Sequence, residues 1–152
     1  MKKILASALL FFAACIGSLA TDTASLPFVS PTIGDHMVLQ RGRPNHAWGW
    51  TQPGSEVRLE IAGLSAKTQA GPDGRWQIDF MPPAVGGPYT LKIEGSRHAQ
   101  FTDILVGDVW LCGGQSNMAF AIGDALNGAE VVKSADISGV RLFHVATKTA
   151  YH

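Results

Sequence analysis

A serine follows a pair of glycines at the end of an apolar run, and this arrangement is the part of the sequence best able to do chemistry. The run Val109–Cys112 leads into two glycines and Gln115, and Ser116 comes next, at the start of a segment of helical composition. Glycines let the backbone turn sharply and approach a ligand closely. A serine hydroxyl presented on such a turn can attack a carbonyl carbon while backbone N–H groups face the developing oxyanion. Ser116 is therefore a candidate nucleophile.

The same serine has a simpler interpretation as a helix cap. Serine is preferred at the start of a helix because its hydroxyl accepts a hydrogen bond from a backbone N–H that has no partner within the helix. Taken alone, the spacing of the glycines and Ser116 favours the cap over nucleophilic chemistry.

A nucleophilic serine also needs a histidine base held by a carboxylate, because its hydroxyl is a weak nucleophile at its own pKa. The five histidines are His36, His46, His98, His144 and His152. The first three fall in a strand-rich region, the fourth falls inside an apolar run predicted to be a strand, and the last is the final residue. We interpret each of them as a surface or packing residue rather than as the base.

The region up to about residue 102 has the pattern of short strands. Apolar and polar residues alternate in the runs Val57–Ile61, Trp76–Phe80 and Tyr89–Ile93. A period of two is typical of strands with one buried face, and glycine- and proline-rich turns separate the runs. The pattern predicts an antiparallel β-sandwich, with a hairpin turn at Asp73-Gly74 and with Trp48 and Trp50 on one core-facing side of a strand.

After Phe101 the pattern changes to a nearly continuous apolar stretch over residues 104–112. A strand that is apolar on both faces belongs in a parallel sheet covered by helices. Helices at 118–125 and 129–135 and a strand at 140–145 are predicted to follow, and that strand is expected to pair in parallel with Val109–Cys112. The predicted fold class is mixed: a β-sandwich over residues 21–102, then the start of an α/β domain over residues 103–152.

The first 20 residues have the features of a signal peptide. Lys2 and Lys3 precede the apolar run Ile4–Ile16, and small residues precede a cleavage site after Ala20. The run is shorter than the roughly 20 residues that cross a membrane as a helix. A lipoprotein anchored at Cys15 is the alternative interpretation. Either one predicts export to the periplasm or the extracellular space.

Charge and composition exclude some partners. The 12 basic and 12 acidic residues balance and neither kind is clustered, which argues against nucleic acid or an anionic membrane surface as a partner. We predict no metal site and no cofactor, and the sequence leaves the oligomeric state open.

Several segments resemble the sialate O-acetylesterase family, part of the SGNH-hydrolase group. The block Gly107–Cys112 followed by Gly114–Met118 is similar to the family signature, and Gly113 departs from the residues usual there at no steric cost. The similarity extends over nearly all of the chain after the signal segment and includes Ile33–Arg41, Ala47–Trp50, Pro53-Gly54, Asp73–Trp76 and Val140–Phe143.

The resemblance implies that the protein is a carboxylic-ester hydrolase that removes acetyl groups from an O-acetylated carbohydrate, sialic acid first. It implies Ser116 as the nucleophile, with its N–H in the oxyanion hole, and a substrate or oxyanion neighbourhood of Gly114, Gln115 and Asn117. The family carries its acid and base in an Asp-x-x-His pair near its carboxyl end, and no aspartate in this sequence has a histidine three residues on. We therefore expect these residues alone to have negligible esterase activity.

Two alternatives stay open. One is an acetylesterase that acts on plant polysaccharide, because the same signature occurs across substrates. The other is a non-catalytic carbohydrate-binding or packing module, because the predicted sandwich is the best-formed unit of the sequence.

Overall fold

The structure, a computed structural model, describes residues 26–145. Within that range seven strands come first: β1 (Val38–Gln40), β2 (Asn45–Trp50), β3 (Glu56–Ile61), β4 (Leu64–Gln69), β5 (Arg75–Phe80), β6 (Gly86–Glu94) and β7 (His98–Gly107). Short helical segments follow: α1 (Ser116–Ala119), a 3₁₀ turn (Ile122–Asp124) and α2 (Gly128–Ser134).

The strands form two sheets that share one core. One sheet has the order β1-β7-β6-β3-β4, and the other pairs β2 with β5. All pairs are antiparallel except β1 with β7, which is parallel. The predicted alternating strands are confirmed, because their apolar residues are buried in a common cluster: Val57, Leu59, Ile61, Trp76, Ile78, Phe80, Leu91 and Ile93.

Trp48 and Trp50 share one face of β2 as predicted, but the prediction that this face looks into the core is wrong. Ala47 and Gly49 are the buried residues of this strand, whereas Trp48 and Trp50 are half-buried on its other face. The reason is a close backbone approach: a Cβ at position 49 would lie 2.0 Å from the carbonyl oxygen of Phe28, so only glycine fits inward there. Because side chains alternate along a strand, the two tryptophans must then face outward together.

The turn at Asp73-Gly74 is present, but it does not join a hairpin within one sheet. Gly74 has a φ of 75°, and its N–H donates to the oxygen of Gly71 at 2.9 Å. The preceding strand β4 pairs with β3, and the following strand β5 pairs with β2. The turn therefore carries the chain from one sheet of the sandwich to the other.

The predicted buried strand at residues 104–112 is also wrong. Ile104 and Val106 are buried as part of β7, whereas Leu105 between them lies half-buried on the other face of the strand. Beyond Gly107 the chain leaves the sheet, and the side chains of Trp110 and Leu111 are 83% and 100% exposed. β7 thus continues across the boundary predicted near residue 102, while the division into two domains stays a prediction.

The predicted start of an α/β domain is not formed within residues 26–145. The first predicted helix is present only as α1 and the 3₁₀ turn, and the second corresponds to α2. The residues predicted to form the strand 140–145 have no strand structure, and Leu142 is 95% exposed. A parallel strand needs a neighbour and a covered face on each side, and none of the described residues supplies these for Val109–Cys112.

The signal segment, Cys15 and His152 lie outside the described residues. Among residues 26–145 we find no helix long and apolar enough to cross a membrane.

Candidate functional site

Ser116 is the first residue of the one-turn helix α1, not its cap. Gln115 occupies the capping position, and its backbone oxygen accepts hydrogen bonds from the N–H groups of Met118 at 3.0 Å and Ala119 at 3.3 Å. Ser116 is exposed, and within residues 26–145 its hydroxyl has no hydrogen-bond partner. The helix-cap interpretation of this serine therefore lacks the hydrogen bond that would define it.

Two glycines, Gly113 and Gly114, lie shortly before Ser116 in a segment with neither helix nor strand structure. A Cβ at Gly114 would lie 2.6 Å from the Cγ of Met118, so a larger residue there would require the methionine side chain to move. A Cβ at Gly113 would meet nothing within 4 Å, so the departure from the family pattern at this position meets no steric barrier. Gly114, Gln115 and Asn117 are all exposed beside Ser116.

Two histidines of the sandwich already have carboxylate partners. The Nδ1 of His36 lies 2.7 Å from the Oδ2 of Asp103, and the Nδ1 of His46 lies 2.7 Å from the Oδ1 of Asp79. The hydrogen bond from His36 is the main cause that holds the pKa of Asp103 below its ordinary value. The bond from His46, helped by Gln77, does the same to the pKa of Asp79.

No histidine among residues 26–145 is hydrogen-bonded to Ser116. His98 is an exposed residue of β7 opposite Glu94, and His144 is exposed outside any strand rather than inside one as predicted. The described residues therefore contain the candidate nucleophile without a base beside it, and they contain no cluster of three or more histidine, cysteine, aspartate or glutamate side chains that could hold a metal ion.

The segment that leads to Ser116 is attached to the sandwich at the end of β1. The N–H of Val109 donates to the side-chain Oε1 of Gln40 at 2.8 Å, and the Nε of Arg41 donates to the Oδ1 of Asp108 at 2.8 Å. The N–H of Arg41 donates to the oxygen of Gly107 at 2.9 Å. The sequence singled out Ile33–Arg41 as part of the resemblance to a known family, but it gave no sign that this motif reaches the nucleophile segment.

The same motif also holds the middle of β7. The Oδ1 of Asp35 accepts hydrogen bonds from the N–H of Thr102 at 2.6 Å and from its hydroxyl at 3.0 Å. These bonds, the backbone one first, lower the pKa of Asp35. The N–H of His36 in turn donates to the oxygen of Thr102 at 3.1 Å.

A second attachment joins the end of the described chain to the sandwich. The Nη2 of Arg141 donates to the Oδ2 of Asp103 at 2.8 Å, so one carboxylate oxygen binds both Arg141 and His36. A guanidinium of Arg141 also donates to the backbone oxygen of Ser138. The 33 residues from Val109 to Arg141 are thus tied to the sandwich near both ends.

Known proteins are similar to this chain in sequence and in fold. No protein-family model matches it. Sialate O-acetylesterase of Mus musculus is 32% identical over 128 residues, which cover 75% of this chain and 24% of the mouse protein. Sialate O-acetylesterase of Rattus norvegicus is 30% identical over 132 residues, which cover 78% of this chain and 24% of the rat protein.

A solved structure is similar over the same share of the chain. It is that of a carbohydrate acetylesterase from Xanthomonas citri, with a TM-score of 0.66 and 37% sequence identity. The match covers 74% of this chain and 26% of that one. The chain therefore spans about a quarter of the length of the proteins that it matches.

Proposed function

Because the chain belongs to the sialate O-acetylesterase-like family, we propose that it carries the nucleophile of a secreted serine esterase that removes O-acetyl groups from carbohydrate. The observation that carries this proposal is the position of Ser116. It follows Gly113, Gly114 and Gln115 in a segment with neither helix nor strand structure. Its hydroxyl is exposed and has no hydrogen-bond partner among the described residues, and Gln115 occupies the capping position of the helix. A serine placed in this way is open to a substrate.

The proposed reaction has two steps. The Oγ of Ser116 attacks the carbonyl carbon of the acetyl group while a base accepts the hydroxyl proton. The negative charge moves to the carbonyl oxygen, where the N–H of Ser116 donates a hydrogen bond. The ester bond to the sugar oxygen then breaks, the sugar hydroxyl leaves with the proton, and water hydrolyses the acetyl-enzyme to acetate and free serine.

We assign the base and its carboxylate to residues that are not among these 152, because no aspartate here has a histidine three residues on. His36 and His46 are hydrogen-bonded to Asp103 and Asp79 on the sandwich, and neither is hydrogen-bonded to Ser116. Without a base the serine hydroxyl stays protonated at neutral pH and attacks slowly. This is why we expect the 152 residues alone to be nearly inactive.

O-acetylated sialic acid is the first substrate that we propose. The mouse and rat relatives are named for sialate, whereas the Xanthomonas citri structure is named only for carbohydrate. Acetylated plant polysaccharide is therefore the alternative. Parallel assays on an O-acetylated sialic acid and on acetylated xylan would separate the two, because the preferred substrate will have the higher kcat/KM.

The test of the nucleophile is a p-nitrophenyl acetate assay, corrected for background hydrolysis, on the full-length enzyme and its Ser116→Ala variant. We expect the variant to lose about 10⁴-fold or more in kcat, as removal of a triad nucleophile does. Ser65→Ala is the matched control, because Ser65 is also exposed but lies on β4 in the sandwich. It should keep wild-type turnover.

The 152-residue chain tests the assignment of the base. It should hydrolyse p-nitrophenyl acetate no faster than its own Ser116→Ala variant. Strong turnover that depends on Ser116 in this chain would mean that one of its histidines is the base. Wild-type turnover by the full-length Ser116→Ala variant would refute the proposed nucleophile.

A second candidate function, non-catalytic carbohydrate binding, is favoured by the outer face of β2. Trp48 and Trp50 face outward with ring centroids 5.3 Å apart and an interplanar angle of 79°, and the guanidinium of Arg75 lies 5.7 Å from the Trp48 ring centre. Aromatic rings beside polar side chains suit the mixed apolar and hydroxylated surface of a sugar. Glycan binding by the 152-residue chain that is lost in Trp48→Ala and kept in Ser116→Ala would support this candidate.

A further inference from the structure

The segment Ile33–Arg41 has no role in the proposed reaction, yet it makes a continuous series of contacts with the second half of β7, from Thr102 to Gly107. It begins with Asp35 bound to Thr102 and continues through the N–H of Leu105, which donates to the oxygen of Met37 at 3.0 Å. It ends with the parallel pairing of β1 and β7, in which Gln40 lies level with Gly107. β1 therefore runs beside the strand that leads to Ser116 up to the point where that strand ends.

Beyond Gly107 the contact between β1 and the following segment is made by the side chain of Gln40, not by backbone pairing. Its Oε1 accepts the N–H of Val109 at 2.8 Å, two residues past the end of the paired register. The segment from Val109 to Gln115 has neither helix nor strand structure, so its path depends on where it starts. A hydrogen bond to its first residue is the contact that sets this starting point.

Gln40 is itself held from both sides. The side-chain Oδ1 of Asn45 accepts the N–H of Gln40 at 2.9 Å, and the Nδ2 of Asn45 donates to the oxygen of Gln40 at 2.9 Å. Because the N–H and the carbonyl oxygen of Gln40 are both hydrogen-bonded, the backbone that carries its half-buried side chain is held in place. The neighbouring ion pair of Arg41 and Asp108 is about half exposed on both partners. It therefore helps to orient the segment that begins at Val109 but contributes little to stability.

From this geometry we infer that Gln40 is a positioning residue for Ser116, and that Asn45 and Arg41 support it. In this role Gln40 touches neither substrate nor reacting atoms, and it acts by fixing Val109 and hence the path of the segment that leads to the serine. The inference rests on the proposed function, since it assigns a role in serine chemistry to a residue of the sandwich. Displacement of a catalytic group by about 1 Å can cost on the order of 100-fold in rate.

The test compares two variants of one residue in the full-length enzyme. Gln40→Met has a similar length without the acceptor, whereas Gln40→Glu keeps an oxygen that can accept the N–H of Val109. We expect Gln40→Met to lower kcat by about tenfold or more with KM within about twofold, because substrate binding does not use this contact. Gln40→Glu should recover most of kcat. Gln100→Met is the matched control, since Gln100 is exposed on β7 away from the segment, and it should keep wild-type kcat.

A second readout, on the 152-residue chain, follows the contact itself. In Gln40→Met the amide hydrogen of Val109 should exchange with solvent at least about tenfold faster than in the wild type, and in Gln40→Glu it should not. The thermal unfolding midpoints of both variants show whether the sandwich stays folded. Faster exchange in a folded chain together with a lower kcat supports the positioning role.

Three results would overturn the inference in different ways. If Ser116→Ala abolishes turnover while Gln40→Met has wild-type kcat, the proposed function stands and the positioning role is wrong. If Ser116→Ala has wild-type turnover, the proposed function fails and the positioning role fails with it, whatever the exchange rate of Val109. Equal loss of kcat in Gln40→Met and Gln40→Glu would also refute the role, because the acceptor would then be irrelevant.

Discussion

Replacement of Trp76 by phenylalanine is expected to destabilise the sandwich far more than the same replacement at Trp48. Trp76 is 1% exposed, and its indole N–H donates to the backbone oxygen of Phe28 at 2.9 Å in the buried core. Trp48 is half-buried on the outer face of β2, beside the guanidinium of Arg75. The two variants remove the same atoms from two different environments.

The magnitude for Trp76→Phe follows from what the smaller ring leaves behind. The carbonyl of Phe28 loses its partner, and a buried polar group without a partner costs about 1–3 kcal/mol. The two ring carbons that are lost account for about 1.6 kcal/mol of apolar burial, at about 0.8 kcal/mol each. Together these effects should lower the free energy of unfolding by about 2.6–4.6 kcal/mol. Trp48→Phe should lower it by about 1 kcal/mol or less, mostly through the contact with Arg75.

The assay is urea unfolding of the 152-residue chain followed by far-UV circular dichroism, with free energies obtained by linear extrapolation. Circular dichroism is used because each variant removes a tryptophan and so changes the fluorescence. Equal destabilisation by the two variants would refute the reasoning, since it would mean that Trp48 and Trp76 share the core. A change of no more than about 1.6 kcal/mol for Trp76→Phe, which the loss of apolar burial alone explains, would show that the bond to Phe28 is not formed in solution.

The other predictions concern the same sandwich and use the same measurement. Gly49→Ala should cost about 1–3 kcal/mol, because its new Cβ would lie 2.0 Å from the oxygen of Phe28, whereas Gly34→Ala, which meets nothing within 4 Å, should change stability little. Asp35→Asn should lower stability at neutral pH, because the hydrogen bonds from Thr102 hold the pKa of Asp35 below its ordinary value of 3.8 in the folded state. That contribution is present in full above the unfolded pKa and is lost as pH falls through the folded pKa, so the difference from the wild type should vanish in strong acid. A difference that stays constant with pH would show that the charge of Asp35 is irrelevant.

The stability contributed by Asp103 and Asp79, which pair with the two sandwich histidines, depends on pH in the same direction as that of Asp35. The pKa values of Asp103 and Asp79 are lowered mainly by hydrogen bonds from His36 and His46. Their contributions to stability are likewise present above the ordinary carboxylate range and are lost on acidification. The described sandwich should therefore lose stability in acid through these groups together with Asp35.

Sequence by itself determined the β-sandwich and the position of the candidate nucleophile. The alternation in Val57–Ile61 and Trp76–Phe80 was enough, because a strand with one buried face imposes a period of two on its own residues. The glycines before Ser116 are also a local signal, but their spacing alone favours a helix cap, and the resemblance of Gly107–Met118 to a family signature is what implies Ser116 as the candidate nucleophile. Such features depend on neighbours in the chain, and the sequence contains those neighbours.

Tertiary structure alone decided which sheet each strand joins, which face of β2 is buried and what holds the nucleophile segment. The outward position of Trp48 depends on the carbonyl of Phe28 lying against Gly49, 21 residues along the chain. Likewise, Ile104–Val106 belong to β7 because β6 pairs with them, and no period in the sequence distinguishes that pairing from a strand of a parallel sheet. The bond from Val109 to Gln40 joins residues that are 69 positions apart. Contacts at such separations come from strand pairing and from the packing of chain segments against each other, and a local pattern of residue types does not specify them.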